Sequence, residues 1–393
     1  MSTAHTRHGR TSMPIYSCHL LGAFPRRVGC PAAPISNPRR RSRTECSLRL
    51  LASMALALSA LLWAQTVMAN ERKFVPPAIS VDRGQPRHAQ ILDPNSTREE
   101  SGSSWVCLSA SNPENGACPT ALGNFPEARI STRIKLRFKE QRTGDTITVT
   151  LDGFRVLRGV GGFQQRQMND RQVTLNGTSL SLSILPDEWA QFPYGGIWTA
   201  RLMLNQHQLG AVFPWTIDIT VRLTDSARMA VLFPGAGDAP KIDLNLQRDN
   251  GPKASTHGTA SIDMCLYDGF NSNSTSYDVT ITDALTQSPP TRRAGMYSVM
   301  REGASQASDA NRVDYQLYLD YRGQPEPLEN GKPRQFQGLT PDDGLRRIRV
   351  LDVGPPVYCV PARLTLKTPP FNTMDKASGP YAGKLRVMFS PSL

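Results

Sequence analysis

Apolar and polar residues alternate along most of the chain, and the alternation is confined to short segments. In TRIKLRFKE, Ile134, Leu136 and Phe138 fall on one side and charged residues on the other. A repeat of two residues is typical of a half-buried β-strand. Segments of this kind before residue 234 are ARISTRIKLRFKE, DTITVTLDGFRVL, SLSLSILP, IWTARLMLNQ, WTIDITVRLTD and MAVLF. Helical periodicity is almost absent, so the pattern predicts an all-β fold.

The strand pattern pauses once and then resumes. The stretch FPGAGDAP, residues 233–240, holds two prolines and two glycines and lacks apolar periodicity, so it is the best candidate for a linker. Strand-like segments after it are KIDLNLQ, ASIDMCLYDGF, SYDVTITDA, RVDYQLYLDYRG, LRRIRVLDV, VYCVPARLTLK and YAGKLRVMFSPSL. We therefore predict two β-domains, residues 70–237 and 238–393. Residues 70–104 are polar and contain proline, and we expect them to be only partly ordered.

A secretory leader precedes these domains. Arginines are followed by an apolar run from about Leu50 to Ala64, and Val67 and Ala69 occupy the positions that a signal peptidase reads. The run is shorter than the roughly 20 residues of a membrane-spanning helix. We predict that residues 1–69 are a leader and signal peptide and that the rest is exported. Residues 1–47 are long for the start of a signal peptide, so either translation starts further in or the signal is extended.

Removing the leader changes the charge of the chain. Residues 1–69 hold nine of the 45 Lys and Arg residues and one of the 33 Asp and Glu residues, which lowers the net charge from +12 to +4. A strongly basic chain would indicate nucleic acid as a partner. Most of that basic signal belongs to the leader, so we discard a nucleic-acid partner.

Four cysteines remain after the leader: Cys107, Cys118, Cys265 and Cys359. An even number in an exported chain favours disulfides. Three pairings are possible, and nearness along the chain favours Cys107–Cys118, which leaves Cys265–Cys359. A zinc site is disfavoured because the spacing is not that of metal ligands and few histidines remain. We predict no metal and no cofactor.

Motifs of catalysis are largely missing. The sequence has no P-loop, no GxSxG elbow and no HExxH, and RGVGGFQQR is typical of a hairpin loop. Asp187 and Glu188 are adjacent acids on a predicted turn, whereas a glycosidase holds its two carboxyl groups apart across a cleft. We predict that the protein is not an enzyme, and an exported carbohydrate-active enzyme is the weakest hypothesis.

One group of cations stands out. Arg133, Lys135, Arg137 and Lys139 occupy four successive outward positions of one predicted strand, and Arg201 and Arg222 lie opposite apolar faces of two others. An ordinary solvated face with edge-protecting cations is the plain interpretation. The functional interpretation is a receptor site for acidic sugars, sulfated glycans or an anionic cell surface.

Several segments together resemble the tip adhesins of alternate-chaperone (class 5) fimbriae, the colonisation-factor and cable-pilus family, whose tip protein is also called the pilus biogenesis initiator. The matching segments occur in the order of the family and cover residues from about 100 to the end: WVCLSASNPENGACP, FPYGGIWTARLMLN, TIDITVRLTD, KIDLNLQ, SIDMCLYDGFNSNS, CVPARLTL and YAGKLRVMFSPS. The resemblance implies an N-terminal receptor-binding domain and a C-terminal pilin domain, both immunoglobulin-like β-sandwiches.

The same resemblance gives a role to the closing strand. It implies that the pilin domain lacks its final strand, which a periplasmic pilus chaperone and then a major pilin subunit supply by strand addition, with assembly at an outer-membrane usher. Leu385, Val387 and Phe389 are the candidates for the floor of the open groove, because they alternate with Arg386 and Ser390. The implied location is the fimbrial tip at the cell surface, reached through the periplasm.

The chain departs from its relatives where their receptor site resembles a small cluster of arginines. In the loop QHQLGAVFPW, Gln206, His207, Gln208 and Leu209 stand where basic residues would fall, and Arg98 lies near Cys107 but out of register. We therefore expect a tip adhesin that binds a host-surface glycan or glycoprotein, with its site moved to the basic strand. The alternative is an assembly-initiating structural subunit without receptor binding of its own.

Overall fold

The computed structural model describes residues 71–392 except 126–129, 160–161, 173–176, 238–239, 252–253, 286–288, 290, 306–307 and 351–353. The predicted leader, residues 1–69, lies outside the described residues, as does the expected signal-peptide cleavage. Nowhere in the described ranges is there a helix with the length and apolar character needed to cross a membrane.

The first half of the described chain forms one ten-stranded sheet. Its strands are β1 (Arg72–Phe74), β2 (Ile79–Asp82), β3 (Ala89–Leu92), β4 (Ser103–Cys107), β5 (Thr132–Glu140), β6 (Thr146–Gly159), β7 (Gly162–Gln167), β8 (Thr178–Ile184), β9 (Gly196–Gln208) and β10 (Ala211–Thr224). Their order is β1-β10-β9-β5-β6-β8-β3, with β2 also on β10, β4 on β9 and β7 on β6.

Alternating side chains of this curled sheet fill a large aromatic core. The inward residues Ile134, Leu136 and Phe138 of β5 are fully buried, as the period of two predicted. Phe138 meets Phe192 edge-on with ring centroids 5.8 Å apart. Four of the five tryptophans in the sequence lie in this sheet or its loops, and all four are buried: Trp105, Trp189, Trp198 and Trp215.

The second half forms two further sheets. Their strands are β11 (Ala230–Leu232), β12 (Leu246–Arg248), β13 (Thr256–Tyr267), β14 (Ser276–Asp283), β15 (Tyr297–Arg301), β16 (Arg312–Tyr321), β17 (Gln324–Leu328), β18 (Arg334–Gln337), β19 (Arg346–Ile348), β20 (Val357–Phe371), β21 (Tyr381–Ala382) and β22 (Leu385–Pro391). One sheet has the order β11-β13-β20-β16-β15-β21, with β12, β17 and β19 on its flanks. The other has three strands, β18-β14-β22. The two enclose a core of their own.

Helical structure in the described ranges is restricted to six short 3₁₀ turns: Pro113–Asn115, Pro186–Gln191, Ser226–Arg228, Asp309–Asn311, Pro341–Asp343 and Thr373–Asp375. The predicted all-β fold is therefore confirmed. Disulfides join Cys107 to Cys118 and Cys265 to Cys359, with Cα atoms 5.3 and 5.6 Å apart.

Three expectations need correction. Residues 71–104 are not partly ordered but carry four strands, which were missed because each is short and bounded by proline or glycine. The MAVLF strand forms, yet β11 pairs with β13 and so joins the second set of strands although it precedes residue 237. The closing segment is two strands rather than one, because the chain passes from β15 to β14 at Gly383.

The two halves touch through a loop between β13 and β14. The buried Asp268 carboxylate accepts hydrogen bonds from the backbone N–H groups of Phe270, Ser272 and Ser274, which fixes the loop. The Gly269 carbonyl accepts a 2.8 Å hydrogen bond from the Asp225 N–H, and a Cβ on Gly195 would lie 1.9 Å from that carbonyl oxygen. Only glycine fits this approach.

Candidate binding sites

The six candidate cations share one face of the first sheet. Arg133, Lys135, Arg137 and Lys139 are all exposed along β5, alternating with buried residues. In the register, Lys139 lies opposite Thr199 of β9. Residues of one parity on a strand point to one side, so Arg201 also points to this side, as does Arg222 across from Ile197. The face predicted from the sequence therefore exists.

Carboxylates occupy half of this basic face. Arg133 donates to Asp152 at 2.5 Å and to Glu188 at 3.3 Å. Arg137 donates to Glu114 at 2.7 Å, and Glu114 is the exposed middle residue of a 3₁₀ turn. These acids are 19, 55 and 23 residues away from their arginines, so the local pattern did not show them. Two of the four cations of β5 are thus neutralised.

Arg201 is neutralised in the same way. Its Nε donates to Asp218 of β10 at 2.7 Å, and Lys73 approaches the other oxygen of Asp218 at 3.3 Å. The hydrogen bond from Arg201 lowers the pKa of the Asp218 carboxyl, so this acid is charged at neutral pH. Because the Arg201 side chain is 57% exposed and that of Asp218 is 26% exposed, water screens the pair and it contributes little to stability. Its effect is to cancel the positive charge at this point.

Arg222 lies at the contact between the two halves. Its guanidinium carbon is 5.4 Å from the centroid of the Phe270 ring, a cation–π distance, and Phe270 is buried. Phe270 belongs to the loop that Asp268 fixes. A receptor would have to compete with this contact for Arg222.

Lys135 and Lys139 are left as the uncompensated cations of β5. Both are exposed, and neither makes an ion pair with an acid of the described chain, within 4.0 Å. Their neighbours on β6 are threonines: Thr150 lies opposite Lys135 and Thr146 opposite Lys139. The free positive charge of β5 is therefore carried by two lysines with hydroxyl neighbours.

The loop after β9 offers no basic cluster. Gln206 is fully buried, where its amide nitrogen donates to Ser103 and its carbonyl oxygen accepts from the Trp215 indole. Leu209 and Gly210 form the two-residue turn between β9 and β10 with positive φ of 48° and 84°. Leu209 is 86% exposed. His207 and Gln208 are half-buried, so this tip is mainly apolar.

The closing strand β22 lies at the edge of its sheet. It pairs with β14 along its whole length, with Pro391 opposite Tyr277 at one end and Leu385 opposite Asp283 at the other. Within the described ranges β14 is the only strand bonded to it. Leu385, Val387 and Phe389 are half-buried and pack against the second core, whereas Arg386, Met388 and Ser390 are exposed. Phe389 stacks on Tyr277 with ring centroids 5.5 Å apart.

Two segments that contribute to the same core as β22, the strand β11 and residues 241–245, do not pair with it in the described structure. Cα atoms of β11 come within 8 Å of those of β22, but the two strands do not pair. Residues 241–245 form no ladder in the described structure, although Ile242 and Leu244 pack against the second core like strand residues. Val231 and Phe233 pack there as well. Partly exposed apolar residues of β22 thus lie at an edge to which no further strand of the described chain is bonded.

The acidic pair at the PDEW turn has structural partners. Glu188 accepts hydrogen bonds from Arg133 and from the Thr150 backbone N–H, while Asp187 is exposed. Glu188 is therefore held by protein donors, and Asp187 is the exposed acid of the pair. Three or more metal-ligating side chains do not come together anywhere in the part of the chain that the structure describes.

Two family models match the chain, and both describe CfaE, a subunit of the CFA/I fimbria. The model of its first domain matches residues 64–226, and the model of its second domain matches residues 229–393. The CFA/I fimbrial protein CfaE of Escherichia coli is 28% identical over 304 residues, which is 74% of this chain and 80% of that relative. This agrees with the resemblance to the fimbrial tip adhesins, whose matching segments occur in the same order along this chain.

Solved structures share the fold. CfaE, the adhesive component of CFA/I fimbria from enterotoxigenic Escherichia coli, superposes with a TM-score of 0.65 at 24% identity, covering 82% of this chain and 93% of that one. A chaperone–tip adhesin complex of CFA/I fimbriae biogenesis has a TM-score of 0.54 at 24% identity, covering 82% of this chain and 96% of the other. The prediction of two β-sandwich domains is confirmed.

Proposed function

Because the chain belongs to the CfaE family of CFA/I fimbrial proteins, we propose that it is a fimbrial tip adhesin with two working parts. The first ten strands, up to Thr224, form the adhesin domain, which binds a host-surface glycan or glycoprotein. The strands from β11 onwards form the pilin domain, which anchors the protein to the pilus. The proposal is supported by the adhesive role that the name of the related CfaE structure states.

The edge of β22 is the observation that carries the anchoring role. Leu385, Val387 and Phe389 are half-buried there although they pack against core residues, so a donated strand would complete their burial. An added strand gains main-chain hydrogen bonds along the free edge and places alternate side chains in the groove. An open apolar edge of this kind promotes aggregation when it is left bare.

The partners follow from this chemistry. A periplasmic pilus chaperone covers the groove first, and the N-terminal extension of a major pilin subunit replaces it during assembly at the outer-membrane usher. A complex of a related tip adhesin with a chaperone supports the first of these partners. The route is export by the predicted signal peptide, passage through the periplasm and display at the fimbrial tip.

The receptor site belongs to the outer face of the first sheet in this proposal. The candidates are the cations predicted from the sequence: Arg133, Lys135, Arg137, Lys139, Arg201 and Arg222. A basic face of a β-sheet attracts anionic groups over about one Debye length, near 10 Å at ordinary salt. Binding is therefore expected to weaken as salt rises.

A second function has support as well. Three of the six cations carry carboxylate partners, Arg222 lies over Phe270, and the loop after β9 is apolar at its tip. These contacts favour an assembly-initiating tip subunit that has no receptor of its own. Such a subunit would still need the edge of β22 to join the pilus, but bacteria with and without it would adhere equally well to host cells.

Neighbouring positions on β22 provide a matched test of the anchoring role. Val387 is half-buried on the face that a donated strand would cover, while Met388 next to it is 47% exposed on the opposite face. Val387→Asp should prevent copurification with the chaperone and incorporation into fimbriae, whereas Met388→Asp should allow both. Tryptophan fluorescence then shows that the first sheet is folded in each variant. If both variants are incorporated normally, the groove is not the anchoring site.

Adhesion separates the two functions. Bacteria whose fimbriae carry the chain are compared on host epithelial cells with bacteria whose fimbriae lack it. Loss of adhesion with intact fimbriae supports the adhesin. Equal adhesion by both supports the assembly-initiating subunit.

A further inference from the structure

We infer that the ligand of the basic face is a sulfated glycosaminoglycan chain, which Lys135 and Lys139 bind through ionic contacts. The inference rests on the proposed adhesin function and assigns a ligand class and two contact residues to it. It begins from the division of the six cations by their partners. Arg133, Arg137 and Arg201 are held by carboxylates, while both lysines are exposed and have no acid beside them in the described structure.

The spacing of the lysines requires an extended ligand. They lie four residues apart on one side of β5, which places their Cα atoms about 13 Å apart at the rise of a β-strand. A single carboxylate or sulfate contacts only one of them. A linear ligand that repeats its anionic groups reaches both, and Arg137 lies between them.

The neighbouring side chains suit a polysaccharide. Three threonines of β6 lie opposite the cations of β5: Thr146 opposite Lys139, Thr148 opposite Arg137 and Thr150 opposite Lys135. On the other side, Thr199 lies opposite Lys139. Hydroxyl groups both donate and accept hydrogen bonds, so this strip matches the hydroxyls and sulfates of a sugar chain.

A membrane surface fits this face poorly. Threonines replace the exposed large apolar residues that an interfacial membrane site inserts, and few cations are free of carboxylates. A lysine ammonium needs no planar partner, so a tetrahedral sulfate suits it. Arginine binds planar carboxylates with two parallel hydrogen bonds, whereas lysine acts as a point charge. The arginines of this strip already use their guanidinium groups on protein carboxylates.

The test measures binding of assembled fimbriae that carry the chain to immobilised heparin. Lys135→Gln and Lys139→Gln should together lower the affinity at least tenfold and make it less dependent on salt. Arg137→Gln is the matched control, because it removes one positive charge from the same strand where Glu114 already neutralises it. Each single lysine variant should therefore lose more affinity than Arg137→Gln. Equal losses would overturn the assignment to the lysines.

Glu114→Gln tests the same assignment in the opposite direction. It removes the partner of Arg137, whose exposed ion pair with Glu114 holds little energy. Arg137 then adds a third free cation between the lysines, so heparin binding should tighten several-fold. Unchanged or weaker binding would contradict the inference.

Two further probes settle the ligand class. Hyaluronate carries carboxylates without sulfate, and vesicles of phosphatidylserine present an anionic membrane. Binding of either probe as strong as that of heparin, with the same lysine dependence, would overturn the sulfated glycan. If the fimbriae adhere to host cells but the lysine variants adhere equally, the inference fails while the adhesin function stands. If adhesion does not depend on the chain at all, the proposed function itself fails.

Discussion

The two disulfides are expected to differ in how much they stabilise the protein. Cys107 and Cys118 are 11 residues apart in the sequence, whereas Cys265 and Cys359 are 94 apart. A crosslink that closes a longer loop removes more conformational freedom from the unfolded chain. The perturbation is replacement of each pair by alanines, giving C107A/C118A and C265A/C359A.

Loop entropy gives the expected magnitudes. For closed loops of these lengths it predicts a loss of about 2.8 kcal/mol for the short loop and about 4.7 kcal/mol for the long one. All four cysteines are at most 5% exposed, so the small cavities left by alanine affect both pairs in the same direction. The difference between the variants should therefore be about 2 kcal/mol in the free energy of unfolding.

Two optical probes can follow unfolding in urea. The four tryptophans of the described chain lie in the first sheet or its loops, while the second half contains most of the tyrosines. Tryptophan fluorescence reports the Cys107–Cys118 half, and far-UV circular dichroism adds the rest. The unaltered protein after reduction serves as the control and should match a variant lacking both bridges. A loss for C107A/C118A equal to or larger than that for C265A/C359A would refute the loop-entropy argument.

Three more changes test the packing of the protein. Phe138→Ala should cost about 3–5 kcal/mol because a fully buried ring is lost, while the neighbouring Arg137→Ala should cost less than about 1 kcal/mol, as urea unfolding can show. Gly195→Ala should separate the main chains at Gly269 and make proteolysis within residues 233–237 faster than in the unaltered protein. Burial is the largest cause of a raised pKa at the five buried tyrosines. Stability should therefore be intact below pH about 10 and fall above it, and absorbance at alkaline pH should show that these tyrosines ionise later than free tyrosine. These tyrosines are Tyr194, Tyr267, Tyr277, Tyr297 and Tyr315.

The alternation of residues predicted what depends on one strand at a time. Ile134, Leu136 and Phe138 are buried and Lys135 and Lys139 are exposed, because a strand points successive side chains to opposite faces. The half-buried face of β22 was predicted on the same ground.

What depends on pairs of distant segments was not visible in the sequence. Glu114 reaches Arg137 from a 3₁₀ turn, and Glu188 reaches Arg133 from another. Arg222 was chosen as an outward cation, but its contact with Phe270 arises where the two halves meet. The local sequence pattern predicts which face a side chain points to, but it does not predict which distant residue that side chain will contact.

Short strands were the other omission. The first three strands have three or four residues each, too few for a period to show. Gly383 divides the closing segment because a Cβ there would lie 3.0 Å from Val299 and crowd the neighbouring strand β15. The end of one strand and the start of the next are set here by which neighbouring strand the chain pairs with, and the alternation of residues does not show this.

The order in which strands pair also has a consequence for synthesis of the chain. The β1 strand pairs with β10, where Arg72 meets Trp215, and β22 pairs with β14, where Pro391 meets Tyr277. Contacts between residues so far apart in the sequence form slowly, because a long stretch of chain must close first. As the chain is made from its amino end, the first sheet can close once Thr224 is present, but the three-stranded sheet must wait for residue 391. During that interval the edge of β14 that β22 later covers has no partner, and an unpaired edge can pair with another chain.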